Sequence, residues 1–178
     1  MSCVHPNHSE PFQRLVQILE EMELKFRVAP NASVVQTGFN GRREGFLCPM
    51  WIWFEPDDSN ILLRVKGSYP VNVPASLRRT IAEVVCRASS SGLKEGCFFL
   101  DMRDGEVGFT CSARIVSQDL PTELVNYLLL MTATVMEGFW PAFEACIFHG
   151  MEPEEAVVRF DPMRSKGLQP LPQDSADQ

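Results

Sequence analysis

Histidine is scarce: the 178-residue chain carries three, His5, His8 and His149. A cysteine–histidine nucleophile pair would have to use His149, and nothing in the sequence places a thiol beside it. The six cysteines (3, 48, 86, 97, 111 and 146) contain no C-x-x-C pair, which removes the common redox and zinc-ribbon spacings. Neither the G-x-x-x-x-G-K-[ST] nor the G-x-G-x-x-G phosphate loop is present, nor are the G-x-S-x-G and H-E-x-x-H motifs. These absences lead us to expect a protein that is not an enzyme, with no cofactor and no metal. Positive charge is also in the minority, 16 Lys and Arg against 23 Asp and Glu for a net charge of −7. A surface for nucleic acid or anionic lipid is therefore not expected. No apolar run reaches the roughly 20 residues of a membrane span. The most apolar stretch, from Leu124, is broken by Glu137, Gly138 and Pro141. The N-terminus shows no basic region followed by an apolar run. With unpaired cysteines on predicted core faces (Cys86, Cys97, Cys111), this predicts a reducing, cytoplasmic setting.

What remains is the pattern of one α+β domain over residues 9–160. Residues 1–8 form a polar, mobile N-terminus, and 161–178 read as a mostly disordered, apolar-poor tail. Cys3, His5 and His8 have metal-ligand side chains, but a frayed terminus lacking a fourth ligand does not make a site. Ser9 can cap a first helix, in which Phe12, Leu15, Val16, Leu19 and Met22 recur at helical spacing, ending near Leu24. Strands follow from Phe26 to Gly67, with Asn40-Gly41 as a hairpin turn. Alternation puts Cys48, Met50, Ile52 and Phe54 on one side of the returning strand, and Leu47, Trp51 and Trp53 on the other. Pro49 predicts an edge strand or a bulge there, because it withholds a ladder N–H. Gly67 to Val73, with Pro70, reads as a linker, and Pro74 opens a second helix that Gly92 ends.

The centre of the chain is Gly96 to Phe148. Two strands flank Arg103-Asp104-Gly105, and Val107, Phe109, Cys111, Ala113 and Ile115 alternate onto one face. A long helix follows, with Asp119 able to cap it and no charge from Leu124 to Met136. A helix apolar on all sides needs cover on several sides, supplied either by a second subunit or by the other helices. Pro141 should kink or end it, with Phe139, Trp140 and Phe143 around the break. A short helix begins near Pro153. The expected order is α-β-β-β-α-β-β-α, an antiparallel sheet with helices on one face.

Three stretches resemble the YbjN family, whose fold is similar to type III secretion chaperones. Residues 96–107 resemble its G-x-F-x-x-D…DG-x-[VL] hairpin. Asp119-Leu120-Pro121 resembles the start of its long helix, and residues 150–156 its G-x-x-P-E-E-A ending. Where that family commonly has an asparagine at the end of the second helix, Ser89-Ser90-Ser91 stands here. The resemblance implies a non-catalytic, cytoplasmic, often dimeric regulator of sensory transduction. The candidate partner-binding residues are Trp51, Trp53, Phe139, Trp140 and Phe143, aromatics suited to anchor an interface. The two tryptophans alternatively belong to the monomer core. The alternative function is a small-molecule sensor with a pocket between the sheet and the long helix, lined by its flexible Met and aromatic groups.

Overall fold

The computed structural model describes residues 10–30, 33–42, 46–57, 60–115 and 120–163. Ser9, Asp119, Cys3, His5, His8 and the segments 1–8 and 164–178 lie outside the described residues. The chain is α+β: α1 (Glu10–Glu21), β1 (Arg27–Val28), β2 (Val34–Asn40), β3 (Leu47–Asp57), β4 (Asn60–Asn72), α2 (Arg78–Ser89), β5 (Cys97–Leu100), β6 (Glu106–Ile115), α3 (Thr122–His149) and α4 (Pro153–Phe160). The strands form one antiparallel sheet in the order β1-β2-β3-β4-β6-β5.

Both predicted hairpins are present. Asn40 pairs with Leu47, and the Gly41 N–H donates to the Phe46 carbonyl at 2.9 Å. At the other hairpin Gly105 has φ +86°, and a Cβ there would lie 2.2 Å from the Val73 carbonyl oxygen. Only glycine fits both demands. Asp104 accepts the Glu106 N–H at 2.9 Å, an Asx turn that fixes the strand start.

The linker expected at Gly67 to Val73 is instead the second half of β4, which runs to Asn72. Its register against β6 slips between Ser68 and Asn72, so four steps on β4 span two on β6, from Gly108 to Glu106. Pro70 sits in this irregularity, where ladder pairing is already interrupted. The slip also carries Tyr69 into the core, 3% exposed. Pro49 does not mark an edge either. Strand β3 is internal, and Pro49 lies just beyond its last residue paired with β4, Met50 opposite Gly67.

Helix α3 is continuous through Pro141, so the proline does not end it. Pro141 has no N–H for the Glu137 carbonyl, and the turn is braced from the sheet by the Tyr69 hydroxyl, which donates to the Met136 carbonyl at 2.9 Å. Glu137 also serves the fold, accepting the Arg42 N–H at 2.5 Å and so tying the β2–β3 hairpin to the helix. The helix lies very close to β4: a Cβ on Gly67 would stand 2.4 Å from the Met136 sulfur and 2.9 Å from Thr132 Cγ2. Thr132 is buried, its hydroxyl donating to the Leu128 carbonyl at 2.8 Å. No helix among the described residues is long and apolar enough to cross a membrane.

Helix α2 closes the β5 edge. The Ser89 hydroxyl accepts the Phe98 N–H at 3.0 Å, satisfying an edge-strand donor. A serine thus does here what an asparagine side chain at a helix end can also do. Arg78 fixes the start of α2 by donating to the carbonyls of Val73, Met102 and Arg103.

Candidate functional site

Strand alternation sorts the sheet into two faces. On the helix-covered face Val35, Cys48, Met50, Ile52, Leu63, Val65, Phe98, Phe109 and Cys111 are buried. Phe98 is its hub, with ring centroids 5.3 Å from Phe109, 5.2 Å from Phe139 and 5.2 Å from Phe143. Phe139 and Phe143 are therefore core residues, both 0% exposed, and not surface anchors. A helix apolar all round gives no periodicity to separate inner from outer aromatics, so their place was hidden. Trp140 is half-buried and stacks on Tyr69 and Phe46, at 5.0 and 6.1 Å. It belongs to the seam between α3 and the β2–β3 hairpin.

Trp51 and Trp53 sit on the opposite face, both partly exposed. Their cross-strand partners on β4 are Lys66 and Arg64, and on β2 Gln36 and Val34. Phe99, one residue after the buried Phe98, joins them from the far side of the sheet. The Lys66 ammonium stands 4.8 Å from the Phe99 ring centre and 5.7 Å from that of Trp51, linking the aromatics by cation–π contact. Gly108, paired with Phe99, presents no side chain in the way. Two consecutive phenylalanines show no alternation, so the sequence carried no signal that Phe99 faces outward.

Two cations of this face are ion-paired. Lys66 pairs with Glu106 at 2.6 Å, Arg64 pairs with Glu55, and Glu106 also accepts the Ser68 hydroxyl at 2.5 Å. At the neighbouring turn, the side chain and then the backbone N–H of Arg103 pull Asp101 down to a pKa of about 2. That leaves the two turn carboxylates, Asp101 and Asp104, engaged in turn hydrogen bonds. The face thus offers large apolar rings beside paired charges, with Arg114 further along β6 on the same side.

The other concavities are less specific. The space between the end of α2 and α4, about 660 Å³, is open, and its polar groups bond to each other. Arg87 pairs with Glu83 and Glu154, while the Ser90 and Ser91 hydroxyls donate to main-chain carbonyls. Between the sheet and α3 the cavity lined by Met22, Phe39, Met50, Leu129 and Ala133 is about 80 Å³. Ligand pockets ordinarily run from about 300 Å³ upward. Among the described residues no group of three His, Cys, Asp or Glu side chains could hold a metal ion. Burial raises the Cys48 thiol to a pKa of about 12 and those of Cys111 and Cys146 to about 11. Such thiols are the reverse of activated nucleophiles.

The chain matches no family model and no curated protein.

Proposed function

We propose that this protein is a non-catalytic, cytoplasmic protein-interaction module, regulatory or chaperone-like in the manner of the YbjN family it resembles. It binds a partner protein through the uncovered face of its sheet. The observation that carries this reading is the placement of Trp51, Trp53 and Phe99 on the one sheet face that α3 does not cover. Tryptophan is the residue most enriched at interface hot spots, because a large ring is desolvated there at little entropic cost. The paired charges support a protein partner over a nucleic acid: Lys66 and Arg64 are each offset by a carboxylate and so are not set out for phosphates. In the absence of a partner, a second copy of the chain covers the same face, giving a homodimer.

The test is a quantitative pull-down from native lysate with wild-type protein and with Trp51→Ala, Trp53→Ala and Trp140→Ala. One stoichiometric partner should be recovered, lost with Trp51→Ala or Trp53→Ala and kept with Trp140→Ala, all three variants retaining a cooperative thermal transition. Equal recovery by all three would reject this face. Loss of the transition in both Trp51→Ala and Trp53→Ala would make those indoles structural and remove the reading.

A further inference from the structure

The β5 edge of the sheet is closed by α2, but part of the opposite edge is open. The Gly41 N–H bonds to Phe46 across the β2–β3 hairpin, so residues 39, 37 and 35 of β2 also bond to β3. Residues 34, 36, 38 and 40 therefore turn their N–H and C=O groups to the outer edge. Strand β1 serves the first two: the Ala29 N–H donates to the Val34 carbonyl at 2.9 Å, and Arg27 pairs with Gln36. It goes no further. The Lys25 carbonyl accepts the Thr37 hydroxyl at 2.9 Å, and not the Gly38 N–H, so the chain has left the ladder there. Among the described residues no backbone hydrogen bond reaches Gly38 or Asn40 from the outer side, and both residues are exposed.

Beside these open rungs lies the small cavity between the sheet and α3, about 80 Å³, walled by Met22, Leu24, Phe39, Leu129, Leu130 and Ala133. That is several times the roughly 15 Å³ that admits one water, and too little for a free ligand. It has room for one side chain. A residue opposite Phe39 on an added antiparallel strand points its side chain to the same face as Phe39, which is the cavity's side of the sheet.

The charge around the edge is also distinctive. Lys25, Arg27 and Arg42 flank the open rungs, exposed and without an ion pair among the described residues. Glu137, beside the same turn, is engaged by the Arg42 main-chain N–H at 2.5 Å. Set against Glu23 and Glu137, the three cations keep the edge positive. That charge works against a second copy. In a two-fold β2–β2 pairing about Phe39, Arg42 would fall beside Lys25 and Arg27 of the other copy, and like charges at an edge oppose such pairing.

We propose that residues 38–40 are a docking edge for an extended acidic segment of another protein. The segment adds to β2 as an antiparallel strand and seats one aliphatic side chain in the cavity. Its N-terminal carboxylates meet Arg42, and its C-terminal ones meet Lys25 and Arg27. The site uses none of Trp51, Trp53 and Phe99, so it stands or falls separately from the reading of the uncovered face.

The experiment titrates the full 15N-labelled chain with a capped nonapeptide, Ac-EDETLTDEE-amide, and with three relatives of it. The amides of Gly38 and Asn40 should shift on binding, and the indole N–H signals of Trp51 and Trp53 should not. Both threonine N–H groups face β2 in this register, so methylating their nitrogens should weaken binding about tenfold, the worth of two ladder bonds. The leucine N–H faces away, and methylating it should weaken binding far less. Serine in place of the leucine should also cost about tenfold. Arg27→Glu/Arg42→Glu protein, its melting transition retained, should bind the parent peptide about fivefold more weakly at low salt. Equal losses from the two methylated peptides, undiminished binding by the charge-reversed protein, or no shift at Gly38 and Asn40 would each overturn the proposal. Shifts at the two indoles in place of Gly38 and Asn40 would overturn it in favour of the uncovered face. Shifts at Gly38 and Asn40 that grow with protein concentration alone would overturn it in favour of a second copy.

Discussion

The two faces of the sheet use the same strands and both carry aromatic side chains, but they treat them differently. On the inner face Phe98, Phe109, Phe139 and Phe143 surround one another at contact distances, with almost no exposure. On the outer face Trp51, Trp53 and Phe99 are spaced by charged strand partners and keep part of each ring exposed. Rings of the first kind hold the fold, because removing one leaves a cavity inside a packed core. Rings of the second kind contribute less to folding and retain apolar area that a partner can still bury. Loss of stability and loss of binding should therefore separate by face.

The sharpest break of this contrast is at the inner hub. Phe139→Ala should cost about 3–5 kcal/mol, read as a lowered urea midpoint with an unchanged slope. A loss under about 1 kcal/mol would mean the inner rings are not the core described. Gly105→Ala comes next. It forces a left-handed φ on alanine and drives Cβ into the Val73 carbonyl, for a loss of at least about 2 kcal/mol in the same titration. On the outer face Trp53→Ala should cost only about 1–2 kcal/mol, since part of the indole is already in water. A loss equal to that of Phe139→Ala would erase the distinction between the faces.

Thiol chemistry sharpens the same contrast without mutation. Cys86 and Cys97, expected on core faces, are exposed, whereas Cys111 is buried as expected and Cys48 and Cys146 are buried too. At pH 8 a disulfide reagent should titrate Cys86 and Cys97 quickly and the three buried thiols only after unfolding. The buried thiols also set an alkaline limit. Their folded pKa values of about 11 to 12 stand above the ordinary 9.0. Their contribution to stability is thus fully present below about pH 9 and is lost as pH rises toward the folded values. Melting temperature should decline from pH 9 to 11. Substituting Cys48→Ala should lessen that decline.

The smallest effect is expected at the hairpin tip. Asp101 is held at about 2 by Arg103, so its contribution is present above the ordinary 3.8 and is lost as pH falls through 2. Asp101→Asn should leave the melting temperature at pH 7 nearly unchanged, because the pair is exposed and screened.

Much of this arrangement could be read from residues with a local physical signature. Asp104-Gly105 announces its hairpin through the positive φ that Gly105 adopts, whereas Asn40-Gly41 marks where β2 ends although neither residue takes a positive φ. The alternation of β3 and β6 separates Trp51 and Trp53 from Cys48, Met50 and Ile52, because one face is buried and the other is not. Signals failed where tertiary structure overrides local preference. Gly67, Ser68 and Pro70 look like a linker, yet Gly67 is where α3 needs a missing side chain, and Pro70 occupies a register slip. Pro141 looks like a stop, yet α3 continues past it with Tyr69 bracing the turn. Phe99 escaped notice for lack of alternation. The exposed side of α3 was invisible because Tyr127 and Leu130 belong to the same apolar run as buried Leu128 and Leu129.

The central claim, that the uncovered face is where a protein partner sits, is tested most directly by hydroxyl-radical footprinting of the wild-type chain. The complex recovered from native lysate is compared with the same protein after its bound partner is stripped. Oxidation of Trp51, Trp53 and Phe99 should fall severalfold in the complex, while exposed Met102 and half-buried Trp140 should react equally in both states. Unchanged oxidation at Trp51 and Trp53, with protection appearing elsewhere, would contradict the account.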